Sequence, residues 1–169
     1  PMSDADWQDA FGKYQTMTAQ FHAINPDMTL AGFKGIYWWE WGHRQLGRVI
    51  GVVFLIPFLF FWLTGRTTKK LMPHLLILFA LGGLQGLIGW WMVASGLVGR
   101  VDVTQERLAV HLTMAGLILV AIVWTARSIA PRGPVAAVSR RLRISGAVLV
   151  ALILVQIGLG GLVAGLKAG

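Results

Sequence analysis

Residues 46–64 read LGRVIGVVFLIPFLFFWLT, an apolar run whose only charged side chain is Arg48. A helix that crosses the hydrocarbon of a membrane needs about 20 mostly apolar residues, which is the length of this run. Three more runs of similar length occur at 75–97, 108–125 and 144–166. Because lipid offers no hydrogen bonds, each segment must bond its own backbone, as a helix does. The sequence therefore predicts an all-α integral membrane protein with four transmembrane helices in a bundle.

The composition supports a membrane protein and argues against a nucleic-acid-binding one. Of the 169 residues, 56% are hydrophobic and 13% are charged, whereas roughly 25% of the residues in a soluble domain are charged. The net charge of +8 comes from basic residues that are confined to particular loops. A nucleic-acid interface would instead interleave them with aromatic residues along one surface. We therefore predict no nucleic-acid partner.

The distribution of the basic residues predicts the orientation of the chain. The loop after the first span and the loop between the third and fourth spans are rich in Lys and Arg. Such loops remain on the cytoplasmic side of a bacterial inner membrane, or on the matrix side of a mitochondrial inner membrane. Both ends of this chain are therefore expected on the periplasmic or intermembrane side. The basic residues are Arg66, Lys69 and Lys70 in the first loop and Arg127, Arg132, Arg140, Arg141 and Arg143 in the second.

Residues 1–43 form a segment of their own ahead of the membrane region at 44–169. Its aromatic residues recur at near-helical spacing, at Trp7, Phe11, Tyr14 and Phe21. This pattern predicts an amphipathic helix on the outer surface of the membrane. Ser3 with Asp6 has the form of a capping box, and Thr29 is placed to cap a second helix that continues into the first span.

The stretch IYWWEWGHR at residues 36–44 begins the first span and supports two interpretations. Its three tryptophans are typical of the aromatic belt at the interface between membrane and water. Glu40, His43 and Arg44, in contrast, have the side chains of a chemical site. If the tryptophans form an apolar wall over Glu40, its protonated form is favoured and it can donate or accept protons.

Two histidines are predicted at the same depth in the membrane. His43 begins the first span, and His111 lies roughly 10 Å past an expected helix start at Thr104. Ionisable residues within a span mark a functional site by default. With no cysteine in the chain, this pair suggests axial ligands to a haem iron, and a hydrogen-bonded structural role is the alternative. His22 and His74 are expected to be interfacial polar residues.

Three arginines lie near these histidines in the predicted helices. Arg44 and Arg48 lie one turn apart beside His43, and Arg107 lies one turn before His111. Arg binds carboxylates through two parallel hydrogen bonds, so these residues are candidates for holding haem propionates. The alternative is that each side chain extends to the membrane interface, which is hardest for the deeper Arg48.

Glycines recur along single faces of three spans. Small residues at helical spacing let neighbouring helices approach closely or leave room for a flat ligand. The recurring spacing also suggests an internal duplication, and the alternative is chance similarity between Gly-rich helices. The positions are Gly47 and Gly51 beside His43, then Gly82, Gly86 and Gly89 around Gln85, and Gly160 after Gln156.

Three motifs together resemble the haem A synthase family of mitochondria and related bacteria. They are FKGIYWWEWGHRQLGRVIG at 33–51, GGLQGLIGWWMVASGL at 82–97 and ERLAVHLTMAG at 106–116. The stretches PMSDADWQDAFGKYQ and QIGLGGLVAGLKAG are similar to the same family, so the resemblance covers nearly the whole chain. It implies an oxidoreductase that converts the C8 methyl of haem O, through an alcohol, to the formyl group of haem A for cytochrome oxidase.

The resemblance also implies roles for particular residues and partners. His43 and His111 match axial ligands of the haem that is substrate and product, Glu40 matches the essential acid, and the propionate-binding candidates are Arg44, Arg48 and Arg107. The implied partners are haem O and membrane lipid. Haem O synthase, cytochrome oxidase assembly factors and a second copy of the chain are further candidates.

The chain departs from the family pattern in one respect. Family members have eight helices in two similar halves, and histidines of the second half hold a haem b. This chain resembles helices two to five, so we expect an incomplete substrate site, no haem b site and no independent activity. Two alternatives use the same histidine pair, namely a b-type membrane cytochrome that transfers electrons and a haem-binding module for oxidase assembly.

Overall fold

The structure is a computed structural model that describes residues 1, 3–94, 103–130 and 138–166. All regular elements in these ranges are α-helices, and α3 to α6 are long and apolar enough to cross a membrane. The predicted fold class is therefore confirmed. The helices are α1 (Asp4–Met17), α2 (Ala19–Ile24), α3 (Leu30–Leu63), α4 (Met72–Ala94), α5 (Gln105–Ile129) and α6 (Arg140–Gly165).

The first predicted span is the second half of a single long helix, α3. This helix begins where the Thr29 hydroxyl accepts a hydrogen bond from the Gly32 amide at 3.2 Å, as its cap position predicts. It then continues without a break through residues 36–44. It ends where Gly65 adopts a positive φ of 66°, a conformation that glycine adopts without strain, and the Arg66 amide donates to the Phe61 carbonyl at 2.9 Å.

The other spans begin earlier than their apolar runs. Helix α5 starts at Gln105 and α6 at Arg140, whereas the sequence predicts 108 and 144. Polar residues set these starts, because Ser139 caps α6 through the Leu142 amide at 3.2 Å and the first turn of α6 is basic. Helix α4 starts at Met72, ahead of the predicted 75. The predicted end of the second span at 95–97 and Arg132 lie outside the described residues.

The segment before α3 contains two helices instead of the single one that its aromatic spacing predicts. The predicted capping box is present, because the Ser3 and Asp6 backbone amides each donate to the other residue's side chain at 3.0 and 3.2 Å. Thr18 then adopts an extended backbone and ends α1. Its hydroxyl accepts from the Phe21 amide at 3.4 Å and so caps α2. The polar side chain of Thr18 therefore separates the two helices.

Helix α1 packs its aromatic face against the start of α3. Trp7, Phe11 and Phe33 form a buried cluster in which Trp7 is 7% exposed. The Trp7 ring also lies 5.0 Å from the Tyr37 ring in an edge-to-face arrangement. The aromatic stripe of α1 is thus covered by the start of α3, including the first residues of the IYWWEWGHR stretch. The position of residues 1–43 relative to the membrane stays a prediction.

Replacing Trp7 by Ala is expected to release α1 from α3. Removing a buried Trp side chain costs about 3 kcal/mol, through lost burial and the cavity left behind. Hydrogen exchange of the α1 amides in detergent micelles should therefore accelerate while exchange in α5 is unchanged. Trp39→Ala is the matched control, since Trp39 is 83% exposed. Equal exchange in the two variants would contradict the packing of α1.

The spanning helices pack in the order of the chain. Within the described residues, α4 contacts α3 and α5, and α6 contacts α5. Stacked rings of Phe54 and Phe58 with Phe79, at 6.3 and 6.1 Å, join α3 to α4. The predicted bundle is therefore an open row of helices. The start of α5, the end of α4 and the region of α3 around His43 lie at the same end of the helix axes. We call this end of the spanning helices the site end.

Close approach through glycine occurs mainly between α5 and α6. A Cβ on Gly161 would lie 2.7 Å from the Ala109 Cα, and one on Gly165 would lie 2.5 Å from the Gln105 Cα. The sequence predicts close approach at other glycines, and only Gly89 of that set has a near neighbour. A Cβ at each of the remaining predicted positions meets nothing within 4 Å: Gly47, Gly51, Gly82, Gly86 and Gly160.

Candidate functional site

The two predicted haem ligands both lie at the site end of the spanning helices. His43 belongs to α3 and His111 to α5, and α4 passes between the two helices in the packing order. The His111 imidazole lies against Gly89 of α4, and α4 also contacts α3, the helix of His43. His43 is exposed, whereas His111 is half-buried. That the two rings ligate one haem stays a prediction.

Helix α4 holds His111 on one side. The Gln85 Nε2 donates a hydrogen bond to the His111 carbonyl at 3.1 Å. One turn further along α4, a Cβ on Gly89 would lie only 3.0 Å from the His111 Cε1, so the imidazole edge rests on the α4 backbone. The His111 Nδ1 is buried without a hydrogen-bond partner. Among the glycines for which the sequence predicts a close neighbour, only Gly89 has one. That neighbour is the imidazole ring and not the backbone of another helix.

Glu40 forms an ion pair with Arg44 on the surface of α3. The Arg44 Nη1 lies 3.3 Å from the Glu40 Oε2, and the two side chains are 51% and 62% exposed. Spacing of four residues along a helix favours such a pair. The pair could therefore have been predicted from the sequence. The apolar wall that the sequence suggests over Glu40 does not form, because Trp39 is 83% exposed while Trp38 packs against Trp41 at 5.3 Å.

Arg107 contacts the end of α4, an interaction that neither sequence interpretation includes. Its Nη1 donates to the Trp91 carbonyl at 2.7 Å, and its guanidinium lies 4.4 Å from the centre of the Trp91 ring. The last carbonyls of a helix lack partners within the helix and carry partial negative charge, which a cation stabilises. Arg107 therefore ties the start of α5 to the end of α4. Arg48, in contrast, is exposed and has no hydrogen bond or ion pair with any described residue.

The histidine pair has the chemistry of a two-ligand haem site. Imidazole is a common axial ligand of haem iron. No ring nitrogen of His43 or His111 takes part in a hydrogen bond with a described residue. Beside His43, a Cβ on Gly47 or Gly51 would meet nothing within 4 Å, which leaves open space for a flat ligand. The described ranges contain no group of three or more His, Cys, Asp or Glu arranged to hold a bare metal ion. The residues present therefore fit a haem.

A groove between α4 and α5 lies toward the end of these helices that is opposite the site end. Its lining is almost entirely apolar and includes Leu78, Leu117 and Trp124, with His74 at one side. The His74 Nδ1 donates to the Lys70 carbonyl at 3.0 Å, an ordinary bond one helical turn back. His74 therefore has the local polar role that the sequence predicts.

Comparison with known proteins establishes the family. A family model described as cytochrome oxidase assembly protein, COX15-CtaA, matches residues 1–169. The chain belongs to this family. Family members named haem A synthase are similar over the whole chain, with 56% identity in Azorhizobium caulinodans, 55% in Rhodopseudomonas palustris and 53% in Bradyrhizobium diazoefficiens.

Membership of the cytochrome oxidase assembly family confirms the resemblance found in the three motifs. The chain spans about half the length of these relatives, namely 48% of the Azorhizobium protein and 46% of the other two. No solved structure matches the chain. The family and the four apolar helices together describe a multi-pass membrane protein.

Proposed function

We propose that this chain forms the substrate-haem half of a haem A synthase, an oxidoreductase that converts the C8 methyl of haem O to a formyl group. The observation that carries the proposal is that α4 packs between the helices of His43 and His111 and holds the His111 imidazole against Gly89 at the site end. It is supported by 56% identity to a protein named haem A synthase. In this proposal both ends of the chain lie on the periplasmic or intermembrane side of an inner membrane.

The two histidines hold the substrate, and the arginines orient it. His43 and His111 ligate the iron of haem O, each through one ring nitrogen. Arg44 and Arg48, exposed on α3, bind the propionates through their planar donor groups. The Arg107 Nη1 donates a hydrogen bond to the Trp91 carbonyl, and the remaining N–H groups of the guanidinium are available to a propionate. The contact with Trp91 holds Arg107 in place for this second role.

Glu40 serves as the acid–base group. Converting a methyl to a formyl group, with water as the source of the oxygen atom, releases electrons and protons, so a residue near the substrate must accept protons. Glu40 precedes His43 by one turn and is the acidic residue of the IYWWEWGHR stretch. It forms an ion pair with Arg44 at 3.3 Å and is 62% exposed, so its carboxylate is accessible from the surface of α3. The haem b implied by the resemblance would accept the electrons, and we place its site outside this chain.

A chimera tests the proposed function. The matching segment of the Azorhizobium caulinodans protein, aligned over 169 residues, is replaced by this chain and produced in a host that makes haem O but no haem A. We expect haem A in the extracted porphyrin, and haem O or its alcohol when Glu40 is changed to Gln. Because the carboxylate is needed for proton transfer and not for binding, haem content should be unchanged.

Glu106→Gln is the matched control for this substitution. Glu106 is an exposed acid in the first turn of α5, where Gln105 Nε2 donates to it at 2.9 Å. The control variant should make haem A at the level of the unmodified chimera. Extraction of haem b alone from every chimera would contradict the synthase and favour the b-type cytochrome. Stable binding of haem O without any oxidation would favour the haem-binding assembly module.

The proposed partners follow from the same chemistry. Haem O is the substrate, and lipid surrounds α3 to α6. We propose haem O synthase and cytochrome oxidase assembly factors as the proteins that deliver the substrate and receive the product, with self-association of the chain as a further proposal.

A further inference from the structure

We propose that Gln85 and Gly89 of α4 are positioning residues for His111, which hold its imidazole so that Nε2 is the atom left free for a haem iron. The two residues are one helical turn apart and both contact His111. This inference rests on the proposed function, because it concerns His111 as a haem ligand. It adds α4, which carries no predicted ligand, to the site.

Gly89 limits where the His111 ring can lie. A Cβ at this position would be 3.0 Å from Cε1, 3.6 Å from Nδ1 and 3.8 Å from Nε2 of the imidazole. The ring therefore meets α4 with its Cε1 edge, and even one methyl group would push it away. At Gly161, in contrast, the nearest atom is the Ala109 Cα of the helix backbone. Gly89 instead faces an imidazole.

Gln85 offers the hydrogen bond that a ligating histidine needs. Its Nε2 is bonded to the His111 carbonyl, while its Oε1 is buried without a donor. The His111 Nδ1 is likewise buried without a partner. A histidine that ligates a metal through Nε2 carries its proton on Nδ1 and almost always donates it to an oxygen acceptor. A hydrogen bond from Nδ1–H to Oε1 would satisfy both atoms.

The test titrates ferric protohaem, as the probe, into the purified chimera that contains the full chain, and subtracts the spectrum of the haem b that the other half of the chimera already holds. Loss of the acceptor oxygen in Gln85→Leu is expected to weaken protohaem binding about 10- to 100-fold, the usual cost of losing such a partner. Gln85→Glu keeps an oxygen at the same place and should restore binding. Gly89→Ala should change the electron paramagnetic resonance of the bound ferric haem, since this signal depends on imidazole orientation. Gly86→Ala is the matched control, because a Cβ there meets nothing within 4 Å.

Two outcomes separate this inference from the proposed function. If His111→Ala leaves the haem spectrum unchanged, His111 is not a ligand and both proposals are wrong. If His111→Ala abolishes the spectrum of the added protohaem while Gln85→Leu and Gly89→Ala match Gly86→Ala in affinity and resonance signal, only the positioning role is wrong. Thermal unfolding of each variant is measured alongside. Weak binding by a folded Gln85→Leu variant with rescue by Gln85→Glu supports the role, and equally weak binding by both folded variants overturns it.

Discussion

A chimera that carries His111→Ala is expected to lose its substrate-site haem, with affinity reduced by more than about 100-fold. Removing a partner of a ligand already costs 10- to 100-fold, and this substitution removes the ligand itself. His43→Ala should have a similar effect, because the two rings are proposed to ligate one iron. Haem content per protein, measured on the purified variants as the pyridine complex, checks the prediction.

His74→Ala provides the control for loss of a histidine. His74 lies in the first turn of α4, and its Nδ1 is bonded to the Lys70 carbonyl. This variant should retain as much haem as the unmodified chimera. Unchanged haem content and absorbance in both His43→Ala and His111→Ala would remove the haem-site interpretation and leave a structural role for the pair.

Gly161→Ala is expected to destabilise the packing of α5 against α6 by about 2 kcal/mol, within the usual range for overpacking. The added Cβ would lie 2.7 Å from the Ala109 Cα and 3.2 Å from the Ala109 N. Backbone atoms of a helix cannot move aside individually, so the two helices must separate. Thermal unfolding in detergent micelles, followed by circular dichroism, should show a lower midpoint. Haem affinity should fall as well, because Ala109 is two residues before His111.

Gly160→Ala is a close control, because the two glycines are adjacent on α6. A Cβ on Gly160 meets nothing within 4 Å, and Ala favours a helix more than Gly does. The unfolding midpoint of this variant should therefore equal or slightly exceed that of the unmodified protein. Equal midpoints for the Gly161 and Gly160 variants would show that the α5–α6 approach is not as close as the structure has it.

Local features of the chain were predictable because they depend on residues near in sequence. Apolar length predicts four spans, and Ser3 with Asp6 predicts a cap that the structure shows. Helix ends were less predictable, because the spans continue beyond the apolar runs until a polar cap such as Ser139 occurs. The common depth of His43 and His111 is predicted from span position, and their pairing on one iron stays a prediction.

Contacts between helices were not predictable in the same way. The sequence assigns Arg107 to a propionate or to the membrane interface, and the structure bonds it to the Trp91 carbonyl at the end of α4. The sequence places Gly82, Gly86 and Gly89 along one face of α4, and of these only Gly89 contacts His111. Each outcome depends on how a helix is rotated about its axis, which no spacing within that helix determines.

The sequence by itself determined that this is a helical membrane protein of the cytochrome oxidase assembly family, and it predicts two histidines at one depth. Hydrophobic length, capping residues and motifs are properties of the chain in any arrangement of its helices. Only the tertiary structure decided that α1 covers the start of α3, that α6 approaches α5 through Gly161, and that α4 supports His111 with Gln85 and Gly89. Side chains that pack together come from distant positions, so their partners are settled only when the helices meet.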